Sequence, residues 1–141
     1  RKLMKEQKEA GEKKYTGARV LVVDDNKVNV KVLCAYLKKF DIDADVAYSG
    51  MDSIEAVRHK EYDLIFMDHM MPGMDGIEAS KNIRTLDVPW AGTVRITACT
   101  ANVIKGVEDE FKEAGLDDFL PKPVQFSDMS AQLYRILGNS Y

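Results

Sequence analysis

Five times between residues 18 and 137 a short apolar run gives way to a stretch with apolar side chains at helical spacing, and few folds accept that alternation. The runs cover residues 19–23, 44–47, 64–67, 93–99 and 118–120, the fourth interrupted by Arg95 and Thr97. Helices are expected at 27–40, from the N-cap candidate Ser49 onward through Ile54 and Val57, and at 76–86, 103–114 and 127–137. The first carries two apolar rows, Val28, Val32, Tyr36, Phe40 and Val30, Leu33, Leu37. Asp41 ends it, Gly115 stops the fourth, and residues 87–93, with Pro89, Trp90 and Gly92, read as a loop. Five β-α units imply the α/β class: a doubly wound, five-stranded parallel sheet in the order 2-1-3-4-5, with helices on both faces and right-handed crossovers.

Chemistry follows from what stands at the strand ends. In an open α/β sheet, ligands collect at the carboxyl edge. The third run ends on Asp68, ahead of a Pro-Gly loop, and the first ends on Asp24-Asp25, so three carboxylates share one crevice. Without a counter-ion they repel and at least one pKa rises; a hard divalent cation with oxygen ligands removes that cost, and Mg²⁺ is the expected ion. Thr100 ends the fourth run with a hydroxyl, and Lys122 ends the fifth with a fixed positive charge. A hydroxyl, an ammonium and Mg²⁺ around one carboxylate suit a phosphoryl group carried on that carboxylate. Asp68, between the acid pair and the Thr-Lys side, is the expected nucleophile.

Composition bounds this reading. A chain of 141 residues, 45% hydrophobic and 30% charged, is expected to form one domain. A net charge of -3 gives no basic signal, so nucleic acid is not expected as a direct partner. No run approaches the roughly 20 apolar residues that span a bilayer, and no secretory h-region opens the chain, so a cytoplasmic location is expected. Cys34 and Cys99 lack metal-ligand spacing and read as buried thiols. Residues 1–17, with six basic and three acidic side chains, read as a solvated tail or linker preceding a domain over 18–141. The chain begins with Arg rather than Met, as a piece cut from a longer protein would.

Together, Val-Leu-Val-Val-Asp24-Asp25-Asn26, Met-Asp68-His-Met-Met-Pro72-Gly-Met-Asp75-Gly76, Thr100-Ala101-Asn102 and Phe119-Leu-Pro-Lys122-Pro123 resemble the receiver domain of two-component response regulators, in order and over nearly the whole chain. The resemblance implies a flavodoxin-like receiver fold in which Asp68 accepts a phosphoryl group from a phosphohistidine. It implies that Asp25, Asp68 and the backbone carbonyl of Met70 ligate Mg²⁺, with Asp24 helping through water. Lys122 would contact the phosphoryl group beside a Lys-Pro bond that is usually cis, and Thr100 and Phe119 would form the switch pair. On phosphorylation the Thr100 hydroxyl moves to the phosphate and the Phe119 ring turns inward, changing the surface of the fourth helix, fifth strand and fifth helix. Asn26, Ala101, Asn102 and Pro123 would line the site. The phosphodonor is expected to be a histidine kinase or histidine phosphotransfer domain, and a phosphorylation-dependent homodimer belongs to the same expectation. Asp-Asp-Asn followed by Lys27-Val-Asn-Val, with the charged tail, resembles receivers carried behind histidine kinase cores; a stand-alone regulator is the alternative.

Competing classes fit less well. A flavin carrier needs a hydroxyl- and Gly-rich phosphate loop where Asp24-Asp25-Asn26 stands, an Asp-x-Asp phosphatase needs a carboxylate where Met70 stands, and a pseudo-receiver would lack part of the acid-Thr-Lys set. Met70, two past Asp68, cannot orient an attacking water, so an effect on aspartyl-phosphate lifetime is expected. Asp75 reads as a helix start, His59 as solvated, and His69 as turned away from the site by strand alternation. Met67, Met70, Met71 and Met74 read as packing.

Overall fold

The structure is a computed structural model that describes residues 13–101 and 106–141. Strands β1 (Val20–Val23), β2 (Asp45–Ala47), β3 (Leu64–Asp68), β4 (Arg95–Thr100) and β5 (Asp118–Pro121) alternate with helices α1 (Lys27–Lys38), α2 (Gly50–His59), α3 (Gly76–Arg84), α4 (Val107–Glu113) and α5 (Phe126–Leu137). The strands make one parallel sheet in the order β2-β1-β3-β4-β5, as expected. Every residue of β1 and β3 is buried, which is why both read as continuous apolar runs: helices cover the two faces of the sheet.

Alternate strand residues feed two cores. Leu21, Val23, Ile65, Met67, Ile96 and Ala98 pack with Ile54 and Val57 of α2, Ile77 and Ile83 of α3, and Phe111 of α4. Val20, Val22, Leu64, Phe66 and Cys99 pack with Val30, Leu33 and Leu37 of α1 and with Met129 and Leu133 of α5. The polar residues that blur β4 have partners: the Gln132 amide of α5 donates to buried Thr97 at 3.1 Å, and Arg95 pairs with Asp118 at 2.9 Å. The strand therefore runs on to Thr100 rather than stopping at residue 99.

Three expectations change. Of the two apolar rows on α1 only Val30, Leu33 and Leu37 are buried; Val28 is 68% exposed and Val32 41%. Phe40 is fully buried but lies beyond the helix, where Asp41 takes a positive φ of 62°. The reading of 1–17 as solvated fails at its end, because Tyr15 is fully buried, its N–H donates to the Phe40 carbonyl at 2.8 Å, and its ring lies 6.0 Å from that of Phe40. The first turn expected for α4, residues 103–105, lies outside the described residues. Among those described, no helix is long and apolar enough to cross a membrane.

Candidate phosphoacceptor site

Sheet register assembles the site. Val23 pairs with Met67, so Asp24 and Asp68 leave β1 and β3 side by side, and Thr100 pairs with Pro121, the residue before Lys122. Asp24, Asp25 and Asp68 each offer a carboxylate oxygen, all within 4.8 Å of one another. Asp24 and Asp68 are buried, at 2% and 3% exposure, whereas Asp25 is exposed. Lys122 Nζ reaches into the trio, 2.5 Å from Asp68 Oδ1 and 3.4 Å from Asp24 Oδ2. The Lys122-Pro123 bond is cis, and the Lys122 N–H donates to the Thr100 carbonyl at 2.9 Å.

The start of α1 holds Asp24 in place. Asn26, expected to line the site, is the N-cap of α1, its Oδ1 accepting from the N–H groups of Val28 and Asn29. Asp24 Oδ1 in turn accepts from the Asn26 N–H at 2.9 Å, and its Oδ2 from the Asn29 amide at 3.3 Å. Asn29 is a supporting residue that sequence reasoning missed; its place three residues after the cap, on the first turn, was the available signal. Ser49 and Asp75 cap α2 and α3 as expected, accepting from the N–H groups of Asp52 and Glu78.

Electrostatically the site is short of positive charge. Burial, reinforced by the charge of Asp24 and opposed by Lys122, pushes the Asp68 carboxyl up to about 6. Burial works against the Lys122 ammonium, but its bond to Asp68 and the charges of Asp68 and Asp24 prevail and raise its pKa. The three carboxylates around one cleft fit a hard divalent cation, which would offset this excess. A cation held there would compete with a proton for Asp68, so lowering pH through about 6 would weaken its binding. Calorimetric titration with Mg²⁺ is expected to show affinity falling by up to about tenfold per pH unit below that value, for one linked proton. A flat profile between pH 7 and 5 would contradict it.

The remaining expected residues are distributed around this centre. Ala101 and Pro123 line a cleft of about 460 Å³ with Asp24, Asn29, Val32 and Lys122. Asn102 lies outside the described residues. Phe119 is half-buried and packs on the core that contains Phe111. The Met70 side chain is 70% exposed, so it does not join Met67 and Met71 in packing. Cys99 is buried, but Cys34 is only half-buried. His59 lies on an exposed face of α2, as expected, with its Nε2 2.6 Å from a Glu55 carboxylate oxygen. His69 does turn away from Asp68, as alternation requires, yet there it meets Thr100: Nδ1 and Oγ1 lie 2.9 Å apart.

Comparison with known proteins agrees with this geometry. The family described as response regulator receiver domain matches residues 20–134. Hybrid signal transduction histidine kinase L of Dictyostelium discoideum is 37% identical over 135 residues, covering 92% of this chain and 8% of the relative. Histidine kinase 3 of Arabidopsis thaliana is 33% identical over 138 residues, 84% of this chain and 13% of the relative. The chain thus spans a small part of the curated relatives it matches. Among solved structures, the receiver domain of a sensor histidine kinase from Pseudomonas aeruginosa, with magnesium coordinated in its active-site cleft, superposes with a TM-score of 0.78 at 31% identity, covering 87% of this chain and 99% of that one. The receiver domain of a Saccharomyces cerevisiae response regulator, crystallised with a histidine phosphotransfer protein, gives 0.78 at 28% identity over 88% and 91% of the two chains.

Proposed function

The chain belongs to the response regulator receiver domain family of two-component signalling, and we propose that Asp68 is its phosphoacceptor. In this reading the donor is the phosphohistidine of a histidine kinase or of a histidine phosphotransfer domain. An Asp68 carboxylate oxygen forms the new O–P bond as the donor's N–P bond breaks, and the donor imidazole leaves with the electron pair. One observation carries the assignment: Asp68 is buried at a strand end, between a second buried carboxylate and an ammonium 2.5 Å away. Lys122 is placed to leave Asp68 for the arriving phosphoryl oxygens, whose added negative charge it would neutralise.

Asp25, Asp68 and the backbone carbonyl of Met70 are the proposed Mg²⁺ ligands, with Asp24 assisting through water. Bound there, Mg²⁺ supplies positive charge to the acid cluster and to phosphoryl oxygens. Asp24 accepts from the Asn26 N–H and the Asn29 amide, which orient its carboxylate toward the cleft. Thr100 and Phe119 are the proposed switch pair. Val28 and Val32 are exposed on α1, Val32 lining the cleft, and apolar side chains beside a charged site suit contact with a donor domain. The relatives favour a parent that is a hybrid histidine kinase or another phosphorelay protein, and the proposal includes a cytoplasmic location.

Intact mass after incubation with acetyl phosphate tests the proposal. The parent protein is expected to gain one phosphoryl unit only with Mg²⁺, and Asp68→Ala to gain none. A parent that stays unmodified in Mg²⁺, or an Asp68→Ala variant that is modified equally, would remove the assignment.

A further inference from the structure

We propose that His69 is a positioning residue that holds the Thr100 hydroxyl away from the phosphoryl site until that site is filled; this rests on the phosphoacceptor reading above. Strand alternation divides the carboxyl edge of the sheet into two sides. Asp68 follows the face of Leu64 and Phe66, which looks toward α1 and α5, and Lys122 and Asp24 meet it there. Thr100 follows the face of Ile96 and Ala98, which looks toward α2, α3 and α4, and His69 follows Met67 onto that same face. There the imidazole Nδ1 and the Thr100 Oγ1 are 2.9 Å apart, in a setting that leaves His69 9% exposed.

His69 is held through its backbone and through its ring. Its backbone N–H donates to the Cys99 carbonyl at 3.0 Å, and its carbonyl accepts from the Gly76 N–H at 2.9 Å, so the Cα does not drift. Its ring meets Phe111 of α4 edge to face, with centroids 5.0 Å apart and planes at 90°. A threonine side chain occupies discrete χ1 rotamers, so turning its hydroxyl toward Asp68 swings it away from His69. Loss of the His69 contact is therefore one cost that a bound phosphoryl group must offset before Thr100 can join it. Because the same ring touches Phe111, the contact also ties the Thr100 rotamer to the seating of α4.

Beryllofluoride with Mg²⁺ serves as the probe of the filled site. Removing the contact with His69→Leu is expected to tighten beryllofluoride binding about fivefold, the worth of one buried hydrogen bond. His69→Asn, whose amide reaches the position of Nδ1, is expected to restore the affinity of the parent. In a Thr100→Ala background the leucine substitution is expected to change nothing, since no hydroxyl remains to hold. Equal gains with and without the hydroxyl would make His69 a packing residue and overturn the proposal.

The parent protein gives a second readout that needs no variant to fold. Its His69 Nδ1 nitrogen resonance is expected to shift when beryllofluoride is added, and a resonance that stays in place would equally overturn the proposal. If the parent binds no beryllofluoride at all, the phosphoacceptor reading falls, and this one with it. Binding with an unmoved His69 removes this one alone.

Discussion

Replacing Lys122 with alanine is expected to slow phosphorylation of Asp68 by acetyl phosphate at least about 100-fold, with folding retained in Mg²⁺. Two buried carboxylates face this ammonium, at 2.5 and 3.4 Å. Without it the Asp68 carboxyl, already raised by burial and by Asp24, moves further up and spends more of its time protonated at neutral pH. A protonated carboxyl is a poor nucleophile, and the phosphoryl oxygens would also lose their nearest fixed cation. Lys122→Arg keeps the charge but spreads it over a planar fork too large for the same position, so an intermediate rate is expected. Intact mass followed over time reads all three proteins. Parent-like kinetics in the alanine variant would mean that Lys122 is only a structural counter-ion.

Gly76→Ala is expected to destabilise the domain by about 3 kcal/mol or more, the upper range for overpacking, with a fall in Tm on the order of 10 °C. A Cβ at Gly76 would stand 2.2 Å from the backbone oxygen of Asp68 and 3.0 Å from Met67 Cγ. The obstacle is main chain of the central strand, which cannot rotate aside as a flexible side chain would. The Gly76 N–H also donates to the His69 carbonyl, so the first turn of α3 is fastened where it touches β3. Moving that turn would carry the loop of Met70 with it, and Mg²⁺ affinity is expected to fall along with stability. Gly92→Ala is the control: no atom lies within 4 Å of its added Cβ, and a change within about 0.5 kcal/mol is expected by thermal melting.

What sequence reading captured is of one physical kind. The alternation of strands and helices and the caps Ser49 and Asp75 follow from local pattern, because period, turn chemistry and capping act over a few residues, and the sheet order follows from that alternation through right-handed crossovers. Asp24, Asp25, Asp68 and Lys122 converge because parallel strands in this order bring their carboxyl ends to one edge, and β1 and β3 were expected to be neighbours. On α1, in contrast, two apolar rows competed for the core. Periodicity describes a face without saying which face the sheet covers, and Val28 with Val32 lost that competition. Tyr15 was hidden inside a charged stretch, where a single aromatic gives no period, and it became core only because the Phe40 carbonyl and ring waited for it.

His69 marks the same boundary at the site. Alternation alone states that it turns away from Asp68, and it does. That Thr100 stands on the same side, 31 residues later in the chain, follows from the register of β4 on β3, while the Phe111 ring behind the imidazole depends on how α4 seats against the sheet. The order of apolar runs and the charges at their ends thus determined the family, the sheet and the acid-lysine centre, since each rests on local pattern and parallel topology. Tertiary packing alone decided which row of α1 is buried, where the chain enters the core and what the Thr100 hydroxyl touches, because those choices are made by contacts between segments that no local period relates.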